Sequence, residues 1–334
     1  MDKDKTGIVG LGLIGGSLGM ALRGGYTVKG LAHRREDAEY ALAAGIADEI
    51  ADGLEDLGDC RCIIVCTPLS TVREFVEKLA VMYPDAIISD VGSVKGMLRG
   101  IKGRVIGGHP MAGTEKSGVR AAKERLLENA YYILTDYNGD AEALEYMKAL
   151  VRAAGALPVA MDAETHDRMV SKISHLVHMA AYSLVQSAMT GDEKIVGTGF
   201  MDTTRIASSS PEFWNTVARL NRDNIVSDMD DYIRTLSALR DDIAAGRDIT
   251  GFLSSAKSKR DKLVDRRRFM SEYTIYADVP DCVGSIAGVL TKLTAAGINI
   301  ENLSVVHSRE GSGGALRLEL SCERDYKKAK EILG

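Results

Sequence analysis

The pattern of apolar and polar positions divides the chain into three regions. In the first, up to residue 161, short apolar runs alternate with segments in which apolar residues recur every three or four positions. Short apolar runs predict buried strands, and the longer spacing predicts helices that pack on them. The predicted strands are a run before Gly10 and the segments 26–31, 61–66, 86–91, 104–106, 130–135 and 157–161, with helices after Gly15 and over 141–154. We therefore expect an α/β domain with a doubly wound sheet over residues 1–161.

Strand patterns nearly vanish in the second region, residues 162–256. Apolar residues lie at helical spacing over 164–189 and 211–245, and a glycine-rich connection spans 197–214. Ser210 followed by Pro211 is typical of a helix start, because serine caps the first turn and proline fits its first position. Helices of this length in an otherwise compact protein commonly pack across a dimer. We therefore expect an all-helical dimerisation domain and a homodimer.

The third region opens with a basic segment, 257–268, in which seven of twelve residues are Lys or Arg. We interpret residues 257–271 as a solvated helix end and a basic linker. Beyond it the pattern predicts strands over 273–278, 300–306 and 315–320 and helices over 284–296 and 325–333. This β-α-β-β-α order is most of a split βαβ unit, so a small α+β, ferredoxin-like domain is expected over 272–334.

Composition excludes several classes of protein. The 334 residues are 45% hydrophobic and carry a net charge of −5, which does not favour binding to a nucleic-acid backbone. No uncharged apolar window reaches the roughly 18 residues of a membrane span, and the charged start MDKDKT is unlike a signal peptide. We expect a cytoplasmic protein with no membrane partner. Cys60, Cys62 and Cys66 lie in or beside an apolar strand pattern, which favours buried thiols over a metal site or disulfides.

The first chemical signal is the glycine pattern after the first strand. Gly10, Gly12 and Gly15 form GxGxxG, and Leu13 and Ile14 lie where the next helix begins. In this setting the first glycine permits a tight turn, the second lets the backbone approach a pyrophosphate, and the third lets helix and strand pack closely. The free N–H groups of the helix N-terminus then face the anion. The pattern predicts a Rossmann-type domain with a dinucleotide cofactor.

Residues after the second strand predict which dinucleotide binds. An acidic side chain there would bind the ribose 2′-hydroxyl of NAD, but the chain has His33, Arg34 and Arg35. A basic cluster suits a 2′-phosphate, so NADP is favoured over NAD. The alternative is that both arginines are solvated and that Glu36 or Asp37 takes the place of the acid.

Polar residues follow two further predicted strands. Thr67 and Pro68 come after 61–66, and Ser93 comes after 86–91. In a doubly wound sheet, ligands bind beyond the carboxyl ends of the strands, so Thr67 and Ser93 are expected in one crevice with His109. Ser93 alone would be a helix cap. Beside His109 it becomes a candidate to share a proton with the imidazole.

The string GGHPMAGTEKSGV, residues 107–119, concentrates reactive groups in a glycine-rich turn. Pro110 fixes the backbone directly after His109, which places the imidazole at the end of a strand and outside any helix interior. An isolated His-Pro could be a structural turn, but the density of polar groups here favours a catalytic site. The polar side chains of the string include His109, Thr114, Glu115 and Lys116.

Taken together, these motifs resemble the prephenate dehydrogenase family of tyrosine biosynthesis. The resemblance rests on GxGxxG followed by CTPLS, SDVGSVKG and GGHPMAGTEKSGV, in this order and spacing. It continues in the helical region with a His-x-x-His pair, His175 and His178, on one helix face, where Val177 replaces a common proline. Two such histidines could also be solvated or buried for structural reasons. The string GTGFMDTTRIASSSPEFW, which contains Arg205, is shared with the family too.

The resemblance implies oxidative decarboxylation of prephenate to 4-hydroxyphenylpyruvate, with hydride transfer to a nicotinamide. His109 would be the general base, assisted by Ser93, and Arg205 would bind a substrate carboxylate. His178 would contact the pyruvyl side chain. The alternative for Arg205 is an internal salt bridge. The other implied substrate-site residues are Thr114, Glu115, Lys116, Asp202 and His175, and no metal is required.

The C-terminal string DVPDCVGSIAGVLTKLTAAGINIENLSVV resembles an ACT domain, an amino-acid-sensing module. This resemblance implies tyrosine as a feedback effector, bound at an interface between two such modules. ACT domains usually end in a fourth strand, which the pattern does not predict here, so that strand is either absent or supplied by a partner. The candidate regulatory residues are Asp281, Val283, Gly284, Ser285 and Asn299.

Three rival functions remain open on the sequence alone. The nearest is the same reaction on arogenate, whose side chain carries an amine in place of the keto group. A β-hydroxyacid dehydrogenase or imine reductase would use a lysine on the long helix, formally Lys172, but would not account for GGHPMAGTEKSG. A nucleotide fold fused to an amino-acid-binding module could also be a non-catalytic sensor. Ser93, His109 and Arg205 argue against that function.

Overall fold

A computed structural model of the chain describes residues 3–113, 116–189, 195–268, 273–280, 282–307 and 313–333. The chain forms two compact units, Met1–Ser237 and Ala238–Gly334. The first unit contains a large sheet with its helices, and the second contains a three-stranded sheet. Among the described residues, no helix is both long and apolar enough to cross a membrane.

Eight strands form the large sheet: β1 Lys5–Val9, β2 Thr27–Leu31, β3 Glu49–Ile50, β4 Cys62–Val65, β5 Ile87–Asp90, β6 Val105–Pro110, β7 Tyr131–Asp136 and β8 Leu157–Ala160. Their order is β3-β2-β1-β4-β5-β6-β7-β8, and every neighbouring pair is parallel except β6 and β7. The predicted strands and the doubly wound arrangement are confirmed. The two-residue strand β3 has no counterpart in the prediction, and β6 continues past its predicted end through His109 to Pro110.

Helices α1 Leu13–Leu22, α2 Arg35–Ala43, α3 Leu69–Met82 and α4 Ala141–Ala153 cover the two faces of the sheet. Side chains alternate along β4, so that Cys62 and Ile64 pack on one side with α1 and α4, while Ile63 and Val65 pack on the other side with α3. All four are buried, as expected of a central strand in a parallel sheet. Cys60 and Cys62 are buried thiols, as predicted, and burial raises the pKa of Cys60 to about 12.

The helical region begins with α5 Ala163–Val170, a π-helical turn Ser171–His175 and α6 Leu176–Ala188, which together follow the first predicted long helix. Next come α7 Thr198–Thr204, a 3₁₀ turn Arg205–Ser208, α8 Pro211–Leu220 and α9 Arg222–Ala244. Ser210 is the N-cap of α8, as predicted, and accepts a hydrogen bond from Phe213 N at 3.2 Å. Two predictions were wrong: the connection 197–214 contains helix α7, and the second long helix breaks at Asn221.

The second unit contains α10 Thr250–Arg268, β9 Thr274–Pro280, α11 Ser285–Ala295, β10 Ile300–His307, β11 Gly313–Leu320 and α12 Glu323–Leu333. The segment predicted as a helix end and linker is helical as far as Arg268. The sheet order is β10-β11-β9 with antiparallel neighbours, so β11 lies between the two strands that α11 connects. This is the split β-α-β-β-α arrangement that was predicted. Leu293, Leu316 and Leu318 are central to its core.

A buried ion pair lies at the carboxyl end of β5. Lys95 and Asp90 are both fully buried, and Lys95 Nζ lies 2.6 and 2.5 Å from the two carboxylate oxygens of Asp90. The same ammonium donates to Gly108 O, and Asp90 accepts from Gly92 N at 2.7 Å and Gly108 N at 3.0 Å. Every donor of the ammonium therefore has an acceptor. The pair ties the end of β5 to the backbone of β6.

We expect Lys95→Met to lower the free energy of unfolding of the first unit by about 3–5 kcal/mol, because it leaves the Asp90 carboxylate buried without a counter-charge. Urea unfolding followed by Trp214 fluorescence reports on this unit, since Trp214 is the single tryptophan of the chain. The control is Lys148→Met, which removes a partly exposed pair with Glu145 and should change stability by about 0–1 kcal/mol. Equal losses in the two variants would contradict the role of the buried pair.

Candidate active site

The glycine turn between β1 and α1 has the geometry of a dinucleotide site. Gly10 has φ +100°, and a Cβ atom there would lie 2.7 Å from Cys66 O. A Cβ atom on Gly15 would lie 2.1 Å from Gly10 O, so this glycine is required for close packing of helix and strand. At Gly12 a Cβ atom would meet no atom within 4 Å. The open side of Gly12 is the side from which a pyrophosphate can approach the backbone.

The N-terminus of α1 is also suited to an anion. Leu13 and Ile14 are its first residues, the N-cap Gly12 has no side chain to satisfy their N–H groups, and the first turn has no acidic residue. The first N–H groups of a helix have no partner inside the helix, and its dipole favours negative charge at this end. The turn therefore fits the pyrophosphate of a dinucleotide, as the sequence predicted.

The residues after β2 do not present a free basic cluster. Arg34 occupies the N-cap position of α2. Its guanidinium lies 2.9 Å from the carboxylate of Glu36 and 2.8 Å from that of Asp37. Arg35 pairs with Glu39 at 2.9 Å. His33 and both arginines are exposed. Carboxylates on α2 thus neutralise much of the positive charge on which the NADP prediction depends.

The carboxyl ends of β4, β5 and β6 lie side by side at one edge of the sheet. Thr67 and Pro68 follow β4, Ser93 follows β5, and His109 is near the end of β6, so this edge collects them as predicted. Thr67 Oγ1 accepts a hydrogen bond from Thr71 at 3.1 Å. Ser93 Oγ is buried and has no hydrogen-bond partner among the described residues. The predicted bond between Ser93 and His109 is not formed, and a ligand in the crevice would supply the missing partner.

His109 instead contacts a second imidazole. Its Nδ1 lies 2.8 Å from Nε2 of His166, and the two rings meet edge to face at a centroid distance of 5.0 Å. Nδ1 of His166 lies 2.7 Å from Oδ1 of Asp167. The three side chains form a continuous array that begins at the sheet edge and ends on helix α5.

The backbone of the loop after β5 holds the acidic end of this array. Lys95 N donates to Oδ1 of Asp167 and Gly96 N donates to Oδ2, both at 2.7 Å. The amide of Asn221, at the break between α8 and α9, donates to Asp167 O at 2.8 Å and lies 3.1 Å from His175 Nδ1. The carboxylate therefore joins the sheet to the helical region within the first unit.

Burial lowers the pKa of two of these imidazoles, His109 and His175. It lowers the pKa of His109 well below its ordinary value, and electrostatic interactions with His166, Lys95 and His175 act in the same direction. Burial also lowers the pKa of His175 to about 4. A neutral imidazole has one nitrogen lone pair and can accept a proton. His109 therefore has the protonation state of a general base at neutral pH.

The two histidines predicted to share a helix face both contact Trp214. His178 stacks on the indole with a centroid distance of 3.6 Å, and His175 meets it edge to face at 5.9 Å. Nδ1 of His178 donates to Ser174 O at 2.9 Å. Burial lowers the pKa of His178, and the charge of Arg205 lowers it further. Trp214 and Arg205 are thus placed around His178.

The other predicted substrate residues lie in exposed segments. Asp202 is on α7, Arg205 begins the 3₁₀ turn after it, and both are exposed, as is Lys116. Thr114 and Glu115 lie outside the described residues.

In the second unit, Val283, Gly284 and Ser285 lie at the start of α11, whereas Asn299 lies after the end of this helix, directly before β10. Gly284 has φ +90°, which favours glycine, and precedes Ser285, whose hydroxyl lies 2.9 Å from Cys282 Sγ. Val283 is fully exposed, and Asn299 donates to Ser321 Oγ at 3.3 Å. Asp281 lies outside the described residues.

Sequence reasoning missed His166, Asp167, Asn221 and Trp214, together with the buried role of Lys95. His166 and His175 are nine residues apart, and on a regular helix they would point to opposite sides. The π-helical turn Ser171–His175 changes this relation, because a π turn takes an additional residue. The sequence did offer one signal for the missed residues. His166 and Asp167 are adjacent, and they lie shortly before His175 on the same predicted helix.

We expect Gly12→Ala and Gly15→Ala to separate cofactor binding from folding. Gly12→Ala places a methyl group in the open side of the turn, so it should fold normally and weaken nicotinamide dinucleotide binding about tenfold or more, measured by fluorescence titration. Gly15→Ala forces the methyl group against Gly10 O and should lower the melting temperature by several degrees. Normal dinucleotide affinity in Gly12→Ala would contradict the assignment of the pyrophosphate position.

Two protein families match parts of this chain. The family described as prephenate dehydrogenase, nucleotide-binding domain, matches residues 18–159. The family described as prephenate dehydrogenase, dimerization domain, matches residues 162–255. The two matches together include the histidine array and Arg205, and the first begins three residues after Gly15.

Individual relatives extend the comparison along the chain. The prephenate dehydrogenase of Bacillus subtilis is 35% identical, with 99% of this chain and 96% of that protein covered. The structure of prephenate dehydrogenase from A. aeolicus, in complex with hydroxyphenyl propionate and NAD+, has a TM-score of 0.72 at 31% identity and covers 79% of this chain and 99% of that chain. The structure of Synechocystis arogenate dehydrogenase has a TM-score of 0.69 at 31% identity and covers 78% of this chain and 99% of that chain. The chain belongs to the prephenate dehydrogenase family.

Proposed function

We propose that the chain catalyses the oxidative decarboxylation of prephenate to 4-hydroxyphenylpyruvate. The observation that carries this proposal is a half-buried imidazole, His109, whose pKa is lowered by desolvation, at the same sheet edge as a glycine turn that fits a dinucleotide. The Bacillus subtilis relative, similar over nearly the whole chain, is a prephenate dehydrogenase, which supports the same substrate here.

The reaction needs one base and accurate positioning. A nicotinamide dinucleotide, which the turn from Gly10 to Gly15 would hold, would supply the hydride acceptor for the ring carbon that carries the hydroxyl. His109 accepts the hydroxyl proton, loss of the ring carboxylate as carbon dioxide makes the ring aromatic, and return of the proton gives the phenol. Aromatisation supplies much of the driving force, so a base and an oriented substrate suffice. Ser93, whose buried hydroxyl has no partner among the described residues, would bind the substrate hydroxyl.

Prephenate carries two carboxylates, which need cationic partners. We propose Arg205 as the anchor of one carboxylate, because guanidinium groups bind carboxylates in bidentate geometry and Arg205 acts electrostatically on His178. His178, held against Trp214, would contact the pyruvyl side chain. The remaining residues proposed for the substrate pocket are Thr114, Glu115, Lys116, His175 and Asp202.

The cofactor is a nicotinamide dinucleotide, and we propose NAD in place of the predicted NADP. The ion pairs of Arg34 with Glu36 and Asp37 argue against the earlier prediction, because a 2′-phosphate would have to compete with both carboxylates. Glu36 or Asp37, both in the first turn of α2, would then take the place of the acid that binds the ribose hydroxyl. The A. aeolicus relative was solved with NAD+, which supports this choice.

We infer a homodimer formed by the helical region. Residues 162–255 match a dimerization domain, and large apolar side chains are exposed there at four-residue spacing. Met169, Ile173 and Val177 are 46%, 62% and 47% exposed. Exposed apolar side chains in a continuous row are typical of surfaces that a partner covers.

For the second unit we propose an ACT-like module with tyrosine as effector. Its split β-α-β-β-α arrangement and the glycine turn at Gly284 support this proposal. The effector would bind between two such modules, near Val283, Ser285 and Asn299 together with Asp281. The Bacillus subtilis relative covers 99% of this chain and therefore includes this unit.

The decisive experiment is the initial rate of nicotinamide reduction with prephenate or arogenate, crossed with NAD or NADP, and with tyrosine present or absent. We expect turnover with prephenate and NAD, and a loss of kcat of roughly 10²–10⁴-fold in His109→Asn, because the base is removed. Unchanged dinucleotide affinity and circular dichroism in His109→Asn are the controls. Faster turnover of arogenate, or near-normal kcat in His109→Asn, would overturn the assignment.

The pH dependence of kcat/KM provides an independent check on His109. The base acts in its neutral form, so activity is lost as the pH falls through its pKa in the free enzyme. Because that pKa lies well below the ordinary value, kcat/KM should stay level from about pH 8 to about pH 6.5 and decline only at more acidic pH. An acid limb centred near pH 7 would contradict the lowered pKa of His109.

A further inference from the structure

The contacts of His109 determine which of its ring nitrogens carries the proton. A neutral imidazole has one donor nitrogen and one acceptor nitrogen. In the array His109–His166–Asp167, the Nδ1 atom of each histidine faces the next group, at 2.8 Å and 2.7 Å. The protonation pattern at the Asp167 end therefore fixes the pattern at the His109 end.

Asp167 can only be an acceptor in this array. Its Oδ1 accepts from Lys95 N and its Oδ2 accepts from Gly96 N, and such hydrogen bonds stabilise the ionised carboxylate. Nδ1 of His166 must then carry a proton and donate it to Oδ1. A neutral ring that carries its proton on Nδ1 has a lone pair on Nε2. That lone pair requires a donor, and Nδ1 of His109 is the atom that faces it.

We propose that His166 and Asp167 are positioning residues that hold His109 as its Nδ1–H tautomer, so that the Nε2 lone pair is the base. What this base does rests on the proposed function, whereas the tautomer itself does not. When Nε2 accepts the substrate proton, the bond from Nδ1–H to His166 becomes charge-assisted and stabilises the imidazolium. No proton needs to move along the array, and the proton on Nε2 returns to the phenolate oxygen of the product.

The direct test is the tautomer of each ring in the wild-type protein. Full-length protein labelled with [¹⁵N]histidine is examined at about pH 7.5 by long-range ¹H–¹⁵N correlation, which distinguishes a protonated ring nitrogen from one with a lone pair. Spectra of His109→Asn and His166→Gln assign the signals among the six histidines. We expect Nδ1–H and an Nε2 lone pair on both His109 and His166. A proton on Nε2 of His109, or two protons on His166, would overturn the proposal.

A pair of variants at His166 tests the acceptor by activity. His166→Gln offers a carbonyl that can accept from His109 Nδ1–H, whereas His166→Met has similar volume and no such acceptor. We expect kcat of the Gln variant to exceed that of the Met variant by about tenfold or more, with KM values within about threefold. Equal kcat values in two folded variants would show that His166 has only a packing role.

Asp167→Asn tests the other end of the array. The side chain of asparagine has one oxygen and one NH₂ group. The NH₂ group, a donor, would face either the two donors at Oδ1, which are Lys95 N and His166 Nδ1, or the donor at Oδ2, which is Gly96 N. Asparagine therefore cannot reproduce all three contacts. We expect kcat to fall by roughly 10²-fold or more with little change in KM, as expected when a base is held in the wrong tautomer. A kcat within threefold of wild type would contradict the proposal.

The matched control is Asp162→Asn on the same helix. Asp162 is the N-cap of α5 and accepts from Thr165 N at 2.8 Å, a role that asparagine performs equally well. This variant should keep both the wild-type tautomers and the wild-type kcat. If the wild-type protein does not turn over prephenate, the proposed function fails, and the nuclear magnetic resonance spectrum still decides the tautomer.

Discussion

The candidate site depends on one carboxylate that joins two parts of the first unit. Asp167 lies on helix α5, yet its oxygens accept the N–H groups of Lys95 and Gly96 from the loop after β5. This contact fixes the helix that carries His166 relative to the sheet edge that carries His109. His109 itself lies in β6, so the sheet and this contact together set the position of the base relative to His166. Sites built on regular elements keep a geometry that loops alone cannot hold.

A second buried charge strengthens the same region. Lys95 contributes its backbone to Asp167 and its ammonium to Asp90 and Gly108, so one residue links β5, β6 and α5. Burying an ion pair costs desolvation energy that its attraction only partly offsets. Such a pair adds little net stability compared with apolar packing, but it allows few alternative arrangements. Here it fixes the backbone next to His109.

Much of the fold could be predicted because local sequence and global structure agree. The apolar runs gave the strands, and the spacing of Gly10, Gly12 and Gly15 gave the turn with the predicted role for each glycine. The edge of the sheet that collects Thr67 and Ser93 followed from the doubly wound topology. The helical region was less predictable, since the break at Asn221 is stabilised by contacts with Asp167 and His175 that are distant in sequence. Periodicity describes one helix at a time and does not reveal such contacts.

The π-helical turn Ser171–His175 has a consequence for how this chain can vary. It sets the rotation between the His166–Asp167 end of the helix and the His178 end, because each residue turns the helix by about 100°. A substitution inside the turn leaves that rotation unchanged. A deletion or insertion of one residue would swing His178 away from Trp214 while His166 stayed in place. In this segment, chain length is therefore under tighter constraint than residue identity.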